Sequence, residues 1–197
     1  MPSSAPKGFL LVLMDPPPAF EEEFNAWYDT EHLPQRMAVP GFETGRRYVC
    51  VHGAPRYLAI YDVTSPAVLE SEAYLQCSLD RSTPWTKRVA SRSRPYRAGG
   101  PQIYPGSALT RPSARLLLLR FRSLEAAAQQ TIVSGMRESF EGRSETLQVR
   151  VFASSSEAGN DYLGVVELRA PISDALQPAA FGAHADALDL INTYAPY

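Results

Sequence analysis

Six consecutive apolar residues, Phe9 to Met14, end abruptly at Asp15 and three prolines, and so short and dense a run predicts a buried strand. The period then lengthens. From about Ala19 to Glu31, Phe20, Phe24, Trp27, Tyr28 and Glu31 recur near one face of a helix. Glu21 to Glu23 fall in its first turns, where carboxylates suit the positive end of the helix dipole. Two further strands, "FETGRRYVCV" and "RYLAIYDV", flank the turn "HGAP". "SPAVLESEAYLQC" opens a second helix with a serine cap and proline at its first position, and "TPWTKRVASRSR" adds a turn or two. "PYRAGGPQIYPG" carries a last strand and the start of a linker.

The pattern recurs at a shift of 105 residues. Leu11 falls on Leu116, Tyr57-Leu58 on Tyr162-Leu163 and Pro66 on Pro171. The second copy reads as "ARLLLLRFR", helix "SLEAAAQQTIVSGMRESF", strands "TLQVRVFAS" and "YLGVVELRA", helix "DALQPAAFGAHADALDLI" and a short tail "NTYAPY". The Pro-, Gly- and Ser-rich stretch from Gly99 to Ser113 divides the chain into a half over 1–104 and a degenerate half over 105–197. Helices cover only one face of such a small sheet, yet "FLLVLM" and "RLLLLRF" are apolar on both. The expected fold is therefore α+β: two tandem ferredoxin-like βαββαβ halves packed sheet to sheet as an α/β barrel within one chain. A small molecule would sit between sheet and helix, or between the sheets.

Composition removes several partners. Of 197 residues, 45% are hydrophobic and 20% charged, the net charge is -2, and no block of like charge offers a nucleic-acid or anionic-lipid footprint. The apolar run near the N-terminus is too short for a membrane span and lacks the flanks of a signal peptide. Cys50 and Cys77 form no CxxC pair, so a reducing cytoplasm is the default location. The three histidines lie in separate elements without metal-binding spacing, no glycine-rich phosphate loop occurs, and neither a metal nor another cofactor is expected. A haem-ligand reading of His184 has no second residue to support it.

The chemistry concentrates in "WYDTEHLPQR", Trp27 to Arg36. Tyr28 and Asp29 stand four and three residues before His32, within reach on one helical face. Pro34 crowds the carbonyl of Thr30, so the helix should end or kink near His32. That places the imidazole near a helix C-terminus with Asp29 and Glu31 beside it, both favouring the cation, while burial would oppose it. A histidine balanced this way suits general acid–base chemistry near neutral pH. Tyr28 would hold developing negative charge; Trp27 and Phe24 would line an aromatic site. Of Arg46 and Arg47 only one can face an interior, because strand neighbours point to opposite faces. Arg36 joins the binding set, although its position past the proline also suits a solvent-facing side chain. The plain alternative is a solvated helix end over ordinary core. Against it, Trp27, Tyr28 and His32 fall on Ile132, Val133 and Arg137 in the second copy, which keeps the strands but not the polar cluster.

The stretch "FNAWYDTEHLPQRMAVPGFETGRRY", with an aromatic-Tyr, a His-Leu-Pro and a Pro-Gly-Phe before a strand, resembles the dimeric α/β-barrel superfamily and, within it, the EthD-like group. The close likeness covers Phe20 to about Tyr61; the second half is similar only in layout. The resemblance implies a small-molecule site, and in cyclase-like relatives a pocket histidine and tyrosine act together, roles that would fall on His32 and Tyr28. It leaves the reaction open, since the superfamily holds cofactor-free oxygenases, isomerases, cyclases, haem enzymes and proteins without known activity. The leading expectation is a metal-free enzyme on an aromatic or polyketide-like carbonyl compound: His32 moves a proton α to the carbonyl, Tyr28 steadies the enolate and Asp29 orients the imidazole. A cofactor-free monooxygenase, a binding protein without chemistry, and pairing as a homodimer are left open.

Overall fold

The computed structural model describes residues 6–78, 81–172 and 176–197. Eight strands carry the fold: β1 (Gly8–Met14), β2 (Phe42–Cys50), β3 (Tyr57–Val63), β4 (Tyr96–Tyr104), β5 (Arg115–Leu124), β6 (Thr146–Ser156), β7 (Gly159–Leu168) and β8 (Leu188–Pro196). They close into an antiparallel barrel in the order β1-β3-β2-β8-β5-β7-β6-β4. Each half supplies four strands in the ferredoxin-like order, β4-β1-β3-β2 and β8-β5-β7-β6. The halves join at two seams, β2 with β8 and β4 with β6.

Both faces of the apolar strands find partners, as their composition requires. Phe9, Leu11 and Leu13 of β1 meet Leu116 and Leu118 of β5 inside the barrel. The alternate residues turn outward to the helices: Leu10 and Met14 join Phe24 and Trp27, while Leu119 and Phe121 join Ile132 and Met136. The two copies are not an exact shift of each other. Leu11 lies opposite Ile60, whereas Leu116 lies opposite Glu167, two residues beyond the position that a uniform shift of 105 would give. A slip of two keeps every side chain on its face, so the alternation survives it.

One end of the barrel interior is polar. Arg150 lies between Asp62 at 2.6 Å and Glu167 at 2.9 Å, all three without solvent exposure. Thr110 donates its backbone N–H to Asp62 at 2.6 Å, and Arg111 donates its own to Glu167 at 3.0 Å. The segment between the halves is thereby tied to groups from both.

The helices depart from expectation in three places. The first runs as a 3-10 turn (Pro18–Phe20), α1 (Glu21–Trp27), a π-helical turn (Tyr28–His32) and α2 (Leu33–Met37). It does not end at His32. The N–H of Leu33 reaches back to the carbonyl of Tyr28, a wider turn that accommodates the Pro34 ring, and the helix continues six residues farther than expected, from Glu31 to Met37. The second correction lies near the C-terminus. The expected helix through "DALQPAAFGAHADALDLI" is a 3-10 segment over Pro178–Ala187, interrupted at Gly182, and Leu188 already opens β8; its first two residues lie outside the described ones. The residues read as a tail are strand because β5 offers them a ladder, with Leu116 opposite Tyr194. The third correction is the expected helix through "SPAVLESEAYLQC". It is a 3-10 turn (Pro66–Glu70) without a side-chain cap from Ser65, then the short α3 (Glu72–Leu75) capped by the extended Ser71. α4 (Pro84–Ser93) follows as a separate helix, while α5 (Gln129–Phe140) covers the second half.

Candidate functional site

Between the outer face of β1 and β4 and the layer made by the first helix, α3 and α4 lies a cavity of about 480 Å³. Leu10, Val12 and Met14 form its sheet side, and Trp27, His32 and Arg36 project from the first helix. Trp27 is held by a hydrogen bond from its indole N–H to Thr86 Oγ1 at 3.0 Å. Thr86 in turn donates to Glu31 at 3.2 Å, as does Thr83 at 2.5 Å. Thr83 also caps α4, accepting from the N–H of Thr86 at 3.0 Å. Two helices more than fifty residues apart in sequence are thus locked across the rim.

His32 is only 9% exposed, stacked on Trp27 with ring centroids 4.3 Å apart, and its Nδ1 is buried without a partner. Burial, with the guanidinium groups of Arg36 and Arg47 adding to it, pushes the imidazole down to about 3. It is therefore neutral at pH 7. The expected balance near neutrality fails because the flanking acids are engaged elsewhere: Glu31 by the two threonines, and Asp29 by Arg47. The Asp29 carboxylate does not orient the imidazole.

Arg36 does not point at solvent. It is 6% exposed and lines the cavity, donating to Cys77 Sγ and Ser78 Oγ at 2.8 Å each, with its guanidinium 4.8 Å from the Tyr74 ring. Among the described residues no carboxylate pairs with it and none lines the cavity, while Lys87 and Arg97 add positive charge to the wall. Arg97 donates to the Tyr74 hydroxyl at 2.9 Å. The α2 extension is what carries Arg36 there, a placement that a helix ending at His32 would not make.

The other expected site residues divide. Tyr28 packs edge-on to His32 at 5.1 Å, but its hydroxyl accepts from Tyr61 at 3.4 Å rather than lining the cavity, and burial raises its ionisation above the ordinary phenol value. Phe24 is packed between Trp27, Tyr28 and Tyr57. Arg47 lies on the helix side of β2 but outside this cavity, bonded to Asp29 and, at 2.5 Å, to Asn25, with its guanidinium 4.4 Å from the Tyr28 ring. Arg46 has the opposite parity and turns toward the barrel with Tyr48. Tyr74, Ser78, Thr86, Lys87 and Arg97 were not singled out from sequence. The Thr-Pro pair at 83–84 was the available signal, since a capped helix start there brings Thr86 and Lys87 onto the first turn.

Among the described residues, side chains occupy the corresponding space of the second half. Gly164 admits Met136, whose Sδ would lie 2.4 Å from any Cβ there, and Gly135 admits Phe181 in the same way. Phe181 stacks on Phe121 at 4.8 Å. The hollow that His32 faces is filled by side chains in the other copy. Among the described residues no helix is long and apolar enough to cross a membrane.

No protein-family model matches the sequence, and no curated protein does either. Solved structures are similar. An anthrone oxidase-like protein aligns over 100% of this chain and 92% of its own at 10% identity, TM-score 0.69. A protein described as a candidate monooxygenase from Fusobacterium nucleatum aligns over 98% and 93% at 6% identity, TM-score 0.57. An ethyl tert-butyl ether D (EthD) family protein from Bacillus halodurans aligns over 48% of this chain and 96% of its own at 16% identity, TM-score 0.33. Barrel order, closure and the likenesses to the first two structures over nearly the whole chain agree on the fold: a closed α/β barrel like that of the anthrone oxidase-like protein, with all eight strands supplied by one polypeptide.

Proposed function

We propose that the cavity beside His32 binds an aromatic or polyketide-like carbonyl compound and removes a proton from it, the resulting anion being held by Arg36. The observation that carries this reading is a buried guanidinium with no carboxylate on it among the described residues, next to a neutral imidazole, in a cavity with no acid among its described lining residues. An unneutralised buried cation is costly, and an enolate or phenolate oxygen would relieve that cost. Trp27 and the aliphatic β1 side chains supply flat apolar walls for a ring system.

In the step itself a C–H bond α to the carbonyl breaks, its electron pair moves into the enolate, and the proton passes to the His32 imidazole. An imidazole at about 3 is a weak base in the empty cavity. A bound anion would cancel part of the repulsion from Arg36 and raise its basicity as substrate arrives. Tyr28, turned to Tyr61, is assigned a packing role under the ring and not the oxyanion contact; Arg36 takes that contact. Return of the proton at another carbon gives isomerisation or cyclisation, and bond cleavage gives a lyase. A second reading follows from the fold likeness to the anthrone oxidase-like protein: the same anion reacts with dioxygen, as in a cofactor-free monooxygenase.

The test is a panel of hydroxylated anthrones and naphthols, followed by product analysis and an oxygen electrode. His32→Ala is expected to lower kcat about 100-fold or more with binding retained, and Arg36→Gln to weaken binding about tenfold or more. Oxygen uptake with substrate selects the second reading. A folded His32→Ala protein with full turnover would remove the proton-transfer role, and binding with no product in any variant would leave a carrier.

A further inference from the structure

A second cavity, of about 300 Å³, opens on the other side of the first helix, at the end of the barrel near β2. Its wall is built from Leu33, Arg46 and Tyr48, the segment between the halves at Pro112 and Ser113, and Tyr197. None of these residues lines the cavity beside His32.

The two arginines of β2 are in opposite electrostatic situations. Arg47 is saturated: Asp29 and Asn25 take its N–H groups, and Tyr28 and Tyr197 cover its guanidinium at 4.4 and 4.0 Å. Arg46 is half-buried, its Nε is sealed from solvent without an acceptor, and no ion pair engages it. The carboxylates farther inside do not serve it, because Arg150 holds both Asp62 and Glu167. Burial raises the Glu167 carboxyl, and its oxygens are taken by Arg150, Gln148 and the N–H of Arg111 rather than by Arg46. Ser113 Oγ is also buried without a hydrogen bond of good geometry, close to the Tyr48 hydroxyl. Burial and Glu167 push that phenol up to about 12, so at neutral pH it is a donor.

Three donors with one uncompensated charge therefore converge on a cavity whose remaining wall joins the apolar surface of Leu33, Pro112, Pro196 and Tyr197 to the Asp29–Arg47 ion pair. We propose that it is a second small-molecule site, taking a flat monocarboxylate whose carboxylate lies on Arg46 with Ser113 and Tyr48, and whose body lies against Leu33, Pro112 and Tyr197. One negative charge suits it better than two: Asp29 and Arg47 of the lining neutralise each other, which leaves the single guanidinium of Arg46 to meet an anion. The volume sits at the low end of the roughly 300–1,000 Å³ of ligand sites, which limits the body to about one ring.

The experiment is a titration of the full chain with benzoate, followed residue by residue in amide NMR spectra, with inorganic phosphate as a parallel probe. Benzoate is expected to shift Gly45, Ser113 and Tyr197, and phosphate to bind at least tenfold more weakly. Arg46→Gln and Ser113→Leu should each weaken those shifts about tenfold or more, Arg46→Lys should retain part of the affinity, and Arg36→Gln should leave them unchanged. Circular dichroism verifies the fold of every variant, and the conservative lysine keeps the test meaningful if glutamine unfolds the protein. Shifts confined to residues around His32 and abolished by Arg36→Gln alone would overturn the second site without touching the reading of the first. Phosphate binding as tight as benzoate would overturn the ligand class.

Discussion

At the scale of single residues the decisive fact is that charge is placed by burial and partner, not by neighbours in sequence. Asp29 lies three positions from His32 but bonds to Arg47, eighteen positions away. The imidazole is left without an acid and is held near 3 against an ordinary 6.5. The consequence for stability has a definite sign. Between about 6.5 and about 3 the unfolded chain binds a proton at His32 that the folded chain refuses, so stability rises with pH in that window and falls as acid is added. His32→Gln should flatten this part of the stability curve, measured by urea unfolding at several pH values. An equally steep acid loss in the variant would show that His32 is protonated in the folded protein. The residue types of the site were legible in "WYDTEHLPQR"; which of them share a hollow was not, because Arg36 and Tyr28 exchange their expected surroundings.

At the scale of elements the cavity depends on two features of the helical layer. The π turn lets the chain pass Pro34 and carry Arg36 one turn beyond His32. The threonine pair on α4 then pins that helix to α1. Thr86→Val should leave the buried Trp27 N–H unpaired and cost about 1–3 kcal/mol, read from denaturant midpoints. Because the same change frees the rim, ligand affinity at His32 should fall with it. Thr83→Ala, which removes a cap, should cost about 1 kcal/mol. Equal stability of Thr86→Val and the parent would mean that the indole finds another acceptor. The Ser-Pro pair at 65–66 opens only a 3-10 turn, with Ser71 capping α3 instead, and the stretch after Thr83, expected to add a turn or two, is a helix of its own. The last strand was not readable: "ALDLI" has helical composition, and only the β5 edge turns it into β8.

At the scale of the whole molecule the barrel makes the two halves one cooperative unit. Asp62 comes from one half, Arg150 and Glu167 from the other, and Thr110 and Arg111 from the segment joining them. Arg150→Met should strand two buried carboxyls and cost about 3–5 kcal/mol. Glu167→Gln should cost much less, since its carboxyl already resists ionisation. Unfolding should remain a single transition in both, monitored by calorimetry. Two separate transitions in Arg150→Met would show that the halves are held independently of the triad. The two halves differ in the space between sheet and helices. Both copies build a sheet–helix space, but Met136 and Phe181 fill one of them, leaving a single hollow with a histidine.

The sequence by itself determined every strand but the last, the alternation of their faces and the need for a second sheet, because periodicity and apolar content are local properties that any compact fold must satisfy. It also showed that the polar cluster around His32 lies in the first half and has no counterpart in the second, since the two can be compared within the chain. Tertiary structure alone decided which arginine is satisfied, which acid is taken, and which hollow stays open. Those outcomes rest on contacts between residues tens of positions apart, across seams and between layers, and no local pattern records them.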